Sequence, residues 1–220
     1  MRLEEMRELL ALKRWEPDGV RRRLARAFTI DDLRRQARSR LPRAVFDYVD
    51  GAAWDEVTLR RNRSAFDDLE LLPRVLVDVS KVELASTLLG CPSAMPLALA
   101  PTGFTRMMHH EGERAVGRAA ARAEVPYALS TVSTTSIERL AEVASGPLWF
   151  QLYALRDQDQ NTALVDRARR AGYGALILTV DAPVMGSRER DYRAGLTIPP
   201  SLTWQTLLDG ALHPAWSWNL

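Results

Sequence analysis

Two short apolar segments between residues 148 and 181 alternate in the same way. In the first, Trp149, Gln151 and Tyr153 share one face of a predicted strand, and Leu148, Phe150 and Leu152 share the other. In the second, Ile177, Thr179 and Asp181 alternate with Leu176, Leu178 and Val180. A polar group at the end of an apolar strand needs a partner, because burying it unsatisfied costs about 1–3 kcal/mol. These polar ends are therefore costly unless something binds there. Between the two segments, residues 156–172 put Ala163, Leu164, Ala168 and Ala171 on one helical face and stop at Gly172. Strand, helix and strand at this spacing predict a right-handed βαβ crossover, hence a parallel sheet. Parallel sheets gather ligand groups at the carboxyl ends of their strands, where Gln151, Tyr153, Thr179 and Asp181 fall.

The same rhythm begins at Pro96. A strand over 97–100 ends in Pro101-Thr102-Gly103, followed by an Ala/Arg-rich helix over 111–123, a strand over 127–131 and a short helix over 136–143. Four strands near positions 98, 128, 150 and 178 predict an α/β chain forming the first half of a (β/α)8 TIM barrel. Upstream, Thr29 caps a helix over 29–40 with Asp31 and Asp32 in its first turn, where carboxylates complement the macrodipole. A second helix runs from Arg43 to about Val49 and closes on Gly51. Residues 66–79 and 82–92 read as irregular strands that turn at Gly90, so 29–95 is expected to close the barrel bottom, with 96–181 as the four βα units. Residues 1–28 form a charged, helix-prone N-terminal extension, broken at Pro17, with Leu9, Leu10 and Leu12 as an apolar patch. Beyond Asp181, 182–200 reads as a polar loop and 201–220 as a tail carrying Trp204, Trp216 and Trp218. That tail fits an interfacial anchor and a loop packed on partner structure about equally.

The 220 residues are 46% hydrophobic and 26% charged with a net charge of +2, ordinary values for a globular chain. Only Lys13 and Lys81 are lysines among 30 Lys+Arg, and acids interspersed among the arginines argue against a nucleic-acid stripe. The single Cys91 cannot form an internal disulfide, and no apolar run reaches the roughly 18 residues of a membrane span. A cytoplasmic location follows by default. No metal-ligand cluster is expected.

The motifs Leu41-Pro42-Arg43-Ala44-Val45-Phe46-Asp47-Tyr48, Ala100-Pro101-Thr102-Gly103, His110-Glu111-Gly112-Glu113, Leu129-Ser130-Thr131, Trp149-Phe150-Gln151-Leu152-Tyr153 and Leu178-Thr179-Val180-Asp181 stand in register. Together they resemble the FMN-dependent α-hydroxy-acid oxidising enzymes, such as glycolate oxidase, mandelate dehydrogenase and L-lactate dehydrogenase. The resemblance implies FMN as cofactor and a small (S)-2-hydroxy acid such as L-lactate as substrate, oxidised to the 2-oxo acid. It implies that the backbone at Pro101, Thr102 and Gly103 passes the flavin's reactive edge, and that Ser130, Gln151 and Thr179 hydrogen-bond the ring's polar edge. It assigns Tyr48 and Tyr153 to the substrate hydroxyl region, Arg188 to the substrate carboxylate and Asp181 to the support of a catalytic histidine. Taken singly, Tyr48 reads as a core aromatic and Arg188 as one solvated arginine among many. The resemblance also implies a homo-oligomer for the full-length enzyme, and the segment 213–218 resembles a loop with which the mandelate member touches the membrane.

In the family a lysine on a later strand, a His-Gly-Gly-Arg segment and downstream phosphate-binding residues complete the site. These 220 residues hold none of them, since the only histidines are His109, His110 and His213. The chain is therefore expected to be an N-terminal half, truncated before the fifth strand, with little or no turnover alone. A catalytically inactive remnant, a half-barrel that assembles with a second chain, and a (β/α)8 enzyme of other chemistry remain as alternatives.

Overall fold

The structure, a computed structural model, describes residues 16–181, 184, 186–195 and 203–219. The expected patch at Leu9, Leu10 and Leu12 lies outside these residues, as do Ala182, Pro183, Met185 and residues 196–202 of the expected loop. The chain divides into two compact units, Met1–Arg40 and Leu41–Leu220.

In the first unit, α1 (Gly19–Leu24) starts at Asp18, whose carboxylate accepts from the amides of Val20 and Arg21. Helix α2 (Ile30–Arg38) starts at the expected Thr29, in a reciprocal cap with Asp32. Gln36 Nε2 donates to Arg23 O at 3.0 Å and ties the two helices together.

The second unit opens with α3 (Arg43–Asp50), which buries Ala44, Val45 and Phe46. It ends at Gly51 as expected, but Gly51 is extended (φ −87°), not left-handed. Residues 57–67 form a helix, α4 (Val57–Asp67), which sequence periodicity does not announce. Its cap position is Glu56 in a left-handed conformation with no capping side chain. The stretch 66–79, expected as an irregular strand, has no strand partner among the described residues, and Leu71, Leu72, Val75 and Leu76 stand exposed. A strand needs a neighbour for its amides, however β-prone its side chains. Residues 82–92 do supply a hairpin, β1 (Ser86–Leu88) against β2 (Cys91–Ser93). Leu89 and Gly90, both at positive φ, form its two-residue turn.

A parallel sheet of β3 (Tyr127–Ser130), β4 (Leu148–Tyr153) and β5 (Ala175–Thr179) follows, adjacent in chain order. Helices α5 (Gly112–Arg122), α6 (Ile137–Val143) and α7 (Gln158–Arg170) alternate with the strands. Their Ala120, Ile137, Leu140, Ala144 and Ala168 pack on Tyr127, Leu129, Leu148, Phe150 and Leu152 to make the core. The strand expected at 97–100 is reduced to one parallel bridge, Leu99 to Tyr127. Pro96 and Pro101 bracket it, and proline has no amide to extend a ladder.

Strand β5 is the exception to the core pattern. Leu176, Leu178 and Val180 are exposed because no described helix covers that face. Leu178, 53% exposed, buries little, so Leu178→Lys is expected to change unfolding free energy by less than about 0.5 kcal/mol while reducing self-association. Equilibrium denaturation and light scattering check both halves of that expectation.

Past Asp181 the expected loop and tail contain, among the described residues, three short helices: α8 (Glu189–Arg193), α9 (Trp204–Leu212) and α10 (Pro214–Ser217). Thr203 and Thr206 cap α9 reciprocally, a local start signal within the tryptophan-bearing tail. Among the described residues no helix is long and apolar enough to cross a membrane.

Candidate active site

The carboxyl ends of β3, β4 and β5 place Ser130, Gln151 and Thr179 on one face, and their side chains meet. Gln151, 2% exposed, accepts through Oε1 from Ser130 Oγ at 3.0 Å and from the Thr131 amide at 3.1 Å. Its Nε2 donates to Thr179 Oγ1 at 2.7 Å. A backbone amide can only donate, so Thr131 fixes which end of the Gln151 amide is oxygen. The proton of the Thr179 hydroxyl is then directed away from Gln151. The relay thus presents donors, the Thr179 hydroxyl and the second N–H of Gln151, at the rim. Two residues earlier on the same face, the buried indole Nε1 of Trp149 has no partner among the described residues.

The loop after the Leu99 bridge lies against this rim. Phe104 N donates to Val132 O at 3.1 Å, and Val132 N donates to Ser130 Oγ at 3.3 Å. Pro101 is half-buried and Thr102 exposed, with Thr102 Oγ1 3.2 Å from Thr105 Oγ1. A Cβ on Gly103 would stand 2.6 Å from Val132 Cγ2, so glycine permits the approach of the two loops. Gly103→Ala is expected to preserve the fold yet push the two loops apart. Far-UV circular dichroism and hydrogen exchange over 101–106 and 130–134 check this.

A second group adjoins the loop. The Tyr48 ring packs edge-on against Phe104 at 6.2 Å, and the Arg188 guanidinium lies over Tyr48, 5.2 Å from the ring centroid. Arg188 donates through Nη2 to Tyr48 O and through Nε to Asp191 Oδ2 at 2.5 Å. The phenol of Tyr48 is pushed up by burial; the Arg188 charge opposes this, while Asp191 and Tyr153 reinforce it. Tyr48 therefore stays a neutral hydroxyl at physiological pH. Tyr153 ends β4 on the face of Gln151, its amide donating to Thr131 Oγ1 at 3.0 Å. Asp181 lies just beyond β5, exposed.

Ser130, Gln151 and Thr179 are thus joined directly, as are Tyr48 and Arg188, with the 101–104 loop between the groups. Sequence reasoning gave no role to Asp50, Glu56, Arg190 and Asp191, or to Glu113. Glu113, fully buried, accepts from Thr134 N, Thr134 Oγ1 and Thr135 Oγ1 at 2.7–2.8 Å. It closes the 110–113 motif, but the local signal for its structural role is no more than a glutamate opening a helix, with paired threonines 21 and 22 residues later. The histidines lie elsewhere: His109 and His110 stack at 4.5 Å on an exposed loop, and His213 Nδ1 lies 2.8 Å from Asp209 O. Among the described residues no group of three or more His, Cys, Asp or Glu could hold a metal ion.

Residues 37–220 match the FMN-dependent dehydrogenase family. The chain belongs to that family. A Mycobacterium tuberculosis protein, whose name assigns L-lactate dehydrogenase provisionally, is 49% identical over all 220 residues and 53% of its own length. The (S)-mandelate dehydrogenase of Pseudomonas putida is 42% identical over 86% of this chain and 48% of its own. The solved structure of a monotopic membrane protein, (S)-mandelate dehydrogenase, superposes with a TM-score of 0.84 at 41% identity. It spans 88% of this chain and 52% of that one. The chain therefore spans about half the length of the relatives it matches. The cofactor of the family is FMN. The donor set at the sheet's rim fits it, since hydroxyl and amide donors in a row match the carbonyl and ring-nitrogen acceptors of a flavin's polar edge.

Proposed function

We propose that this chain supplies the flavin-edge and carboxylate-binding half of an FMN-dependent (S)-2-hydroxy-acid dehydrogenase, in the form of the first half of a (β/α)8 barrel. The observation that carries this reading is the Ser130–Gln151–Thr179 relay, closed on one side by the loop that packs against Tyr48 and Arg188. Ser130, Gln151 and Thr179 hold the ring's polar edge, and the backbone at Pro101, Thr102 and Gly103 lines it. Bound there, FMN supplies the two-electron acceptor for the substrate's C2–H bond. Arg188 keeps guanidinium N–H groups beyond those spent on Tyr48 O and Asp191, and these pair with the substrate carboxylate. Tyr48 and Tyr153 donate hydroxyl hydrogen bonds to the substrate, and Asp181 steadies an imidazolium. That imidazole is not among His109, His110 and His213 as placed. The 220 residues alone are accordingly expected to bind FMN and a 2-oxo acid but to give little or no L-lactate-dependent dye reduction.

The test is a titration of the purified chain with FMN, followed by pyruvate, read by flavin absorbance and fluorescence. Saturable binding of both, abolished for pyruvate by Arg188→Leu, supports the reading. Absence of FMN binding sinks it for this chain. The position of β5 at the edge of the sheet among the described residues, with its apolar face uncovered, favours a second reading, in which a further chain extends the sheet; its measure is native mass with and without flavin. The tail adds a peripheral membrane contact to the proposal. Trp204, Leu208, Leu212 and Trp218 stand exposed, while Trp216 is held by donation to Met107 O at 2.7 Å. Flotation of the chain with lipid vesicles, lost on Trp204→Ser and Trp218→Ser, reads that contact.

A further inference from the structure

Arg188 has a neighbour two residues on that does different work. Arg190 donates through Nη1 to Asp50 Oδ2 at 3.0 Å and through Nη2 to Glu56 Oε2 at 2.7 Å. Both carboxylate side chains are largely buried, at 12% and 14% exposure, so the pairs are screened far less than surface ones. Asp50 ends α3, the helix of Tyr48, and Glu56 closes the turn after it. Around this fork the backbones come close. Trp54 N donates to Ser187 O at 2.8 Å, and Glu56 Oε1 accepts from Ala52 N at 3.1 Å. A Cβ on Gly51 would stand 3.1 Å from Arg190 Cδ and 2.7 Å from Asp47 O, so that glycine leaves the space the arginine fills.

We propose that Arg190 is a positioning residue, clasping the 50–56 turn to α8 so that Tyr48 and Arg188 hold one shared geometry toward a substrate carboxylate. The proposal rests on the substrate reading above. Arg190 touches neither Tyr48 nor Arg188 by hydrogen bond and acts through placement. Without it, Arg188 keeps Asp191 but loses the fixed distance to Tyr48 O. A planar fork with two carboxylate partners is a task for arginine, and lysine can satisfy only part of it.

The test uses the full 220-residue chain with FMN present. Arg190→Gln is expected to weaken pyruvate binding about tenfold while leaving pyruvamide and FMN binding within about twofold, because only the carboxylate ligand calls on Arg188. Hydrogen exchange over 43–56 is expected to quicken at least about tenfold, with the amides of β3–β5 unchanged. Arg190→Lys restores part of both. Asp50→Asn and Glu56→Gln, each removing one arm, give intermediate values and serve if Arg190→Gln does not fold. Unchanged exchange over 43–56 overturns the clasp, and equal losses for pyruvate and pyruvamide overturn the positioning role. A wild-type chain that binds FMN but neither ligand sinks the substrate reading instead, and the clasp then stands or falls on exchange alone.

Discussion

Glu113→Ala is expected to lower the unfolding free energy of the chain by about 3–4 kcal/mol, read by equilibrium denaturation at neutral pH. The Glu113 side chain is fully buried, and a carboxylate there survives only because its oxygens receive an amide and two hydroxyls. Alanine strands those donors without water. The effect reaches the rim, because Thr134 Oγ1 also accepts from Arg106 N at 3.2 Å, so one carboxylate ties the start of α5 to two loops. The same geometry sets an acid dependence. Desolvation alone would raise the pKa of Glu113, but the bonds from Thr134 and Thr135 outweigh it and hold the folded-state value below the ordinary glutamate one. A depressed folded value means that this stabilisation is present above the unfolded pKa of about 4.3. It is lost as pH falls through the lower folded value. Glu113→Gln, which cannot titrate, is expected to show a flatter stability profile below about pH 4 than the parent. Equal slopes for the two proteins would contradict the assignment.

The sequence carried the sheet and its rim further than it carried the elements around them. The segments 148–153 and 175–179 are legible because apolar runs broken by single polar residues mark them, and in the sheet those polar residues pair, Gln151 with Ser130 and Tyr153 with Thr179. Thr29, Ser136 and Asp157 cap their helices through side-chain bonds, and capping is a local chemistry that a sequence displays. Helix α4 has no such cap, and its start is a left-handed Glu56, a residue type that gives no warning of that conformation. What holds Glu56 is Arg190, 134 residues away, one of many arginines in the chain and indistinguishable from the rest by composition. Tyr48 and Arg188 were placed in one site by family likeness, not by spacing, since 140 residues separate them. Long-range ion pairs of this kind leave no local trace. The burial that makes them matter exists only once the chain has folded.

Gln151→Leu is expected to cost about 2–4 kcal/mol of stability and to abolish FMN binding, and Thr179 provides the control that separates the two effects. Leucine fills much of the space of glutamine but offers nothing to the Thr131 amide, which sits at the end of β3 with Gln151 as its acceptor. That loss is structural and would be seen in any buried sheet. The outward donor is a different matter. Thr179→Val keeps the shape of the side chain and removes only the hydroxyl, so the cost falls to about 1–2 kcal/mol, for Gln151 Nε2 left without its acceptor. FMN affinity should nevertheless fall by an order of magnitude or more, and Thr179→Ser should recover it, because serine restores the same hydrogen-bond polarity. Denaturation curves and flavin fluorescence titrations of the three variants give two columns of numbers that need not move together. If Thr179→Val binds FMN as the parent does, the relay ends in packing and the flavin edge lies elsewhere. If affinity follows the hydroxyl and stability does not, then the direction imposed by one backbone amide at Thr131 is transmitted through Gln151 to the ligand.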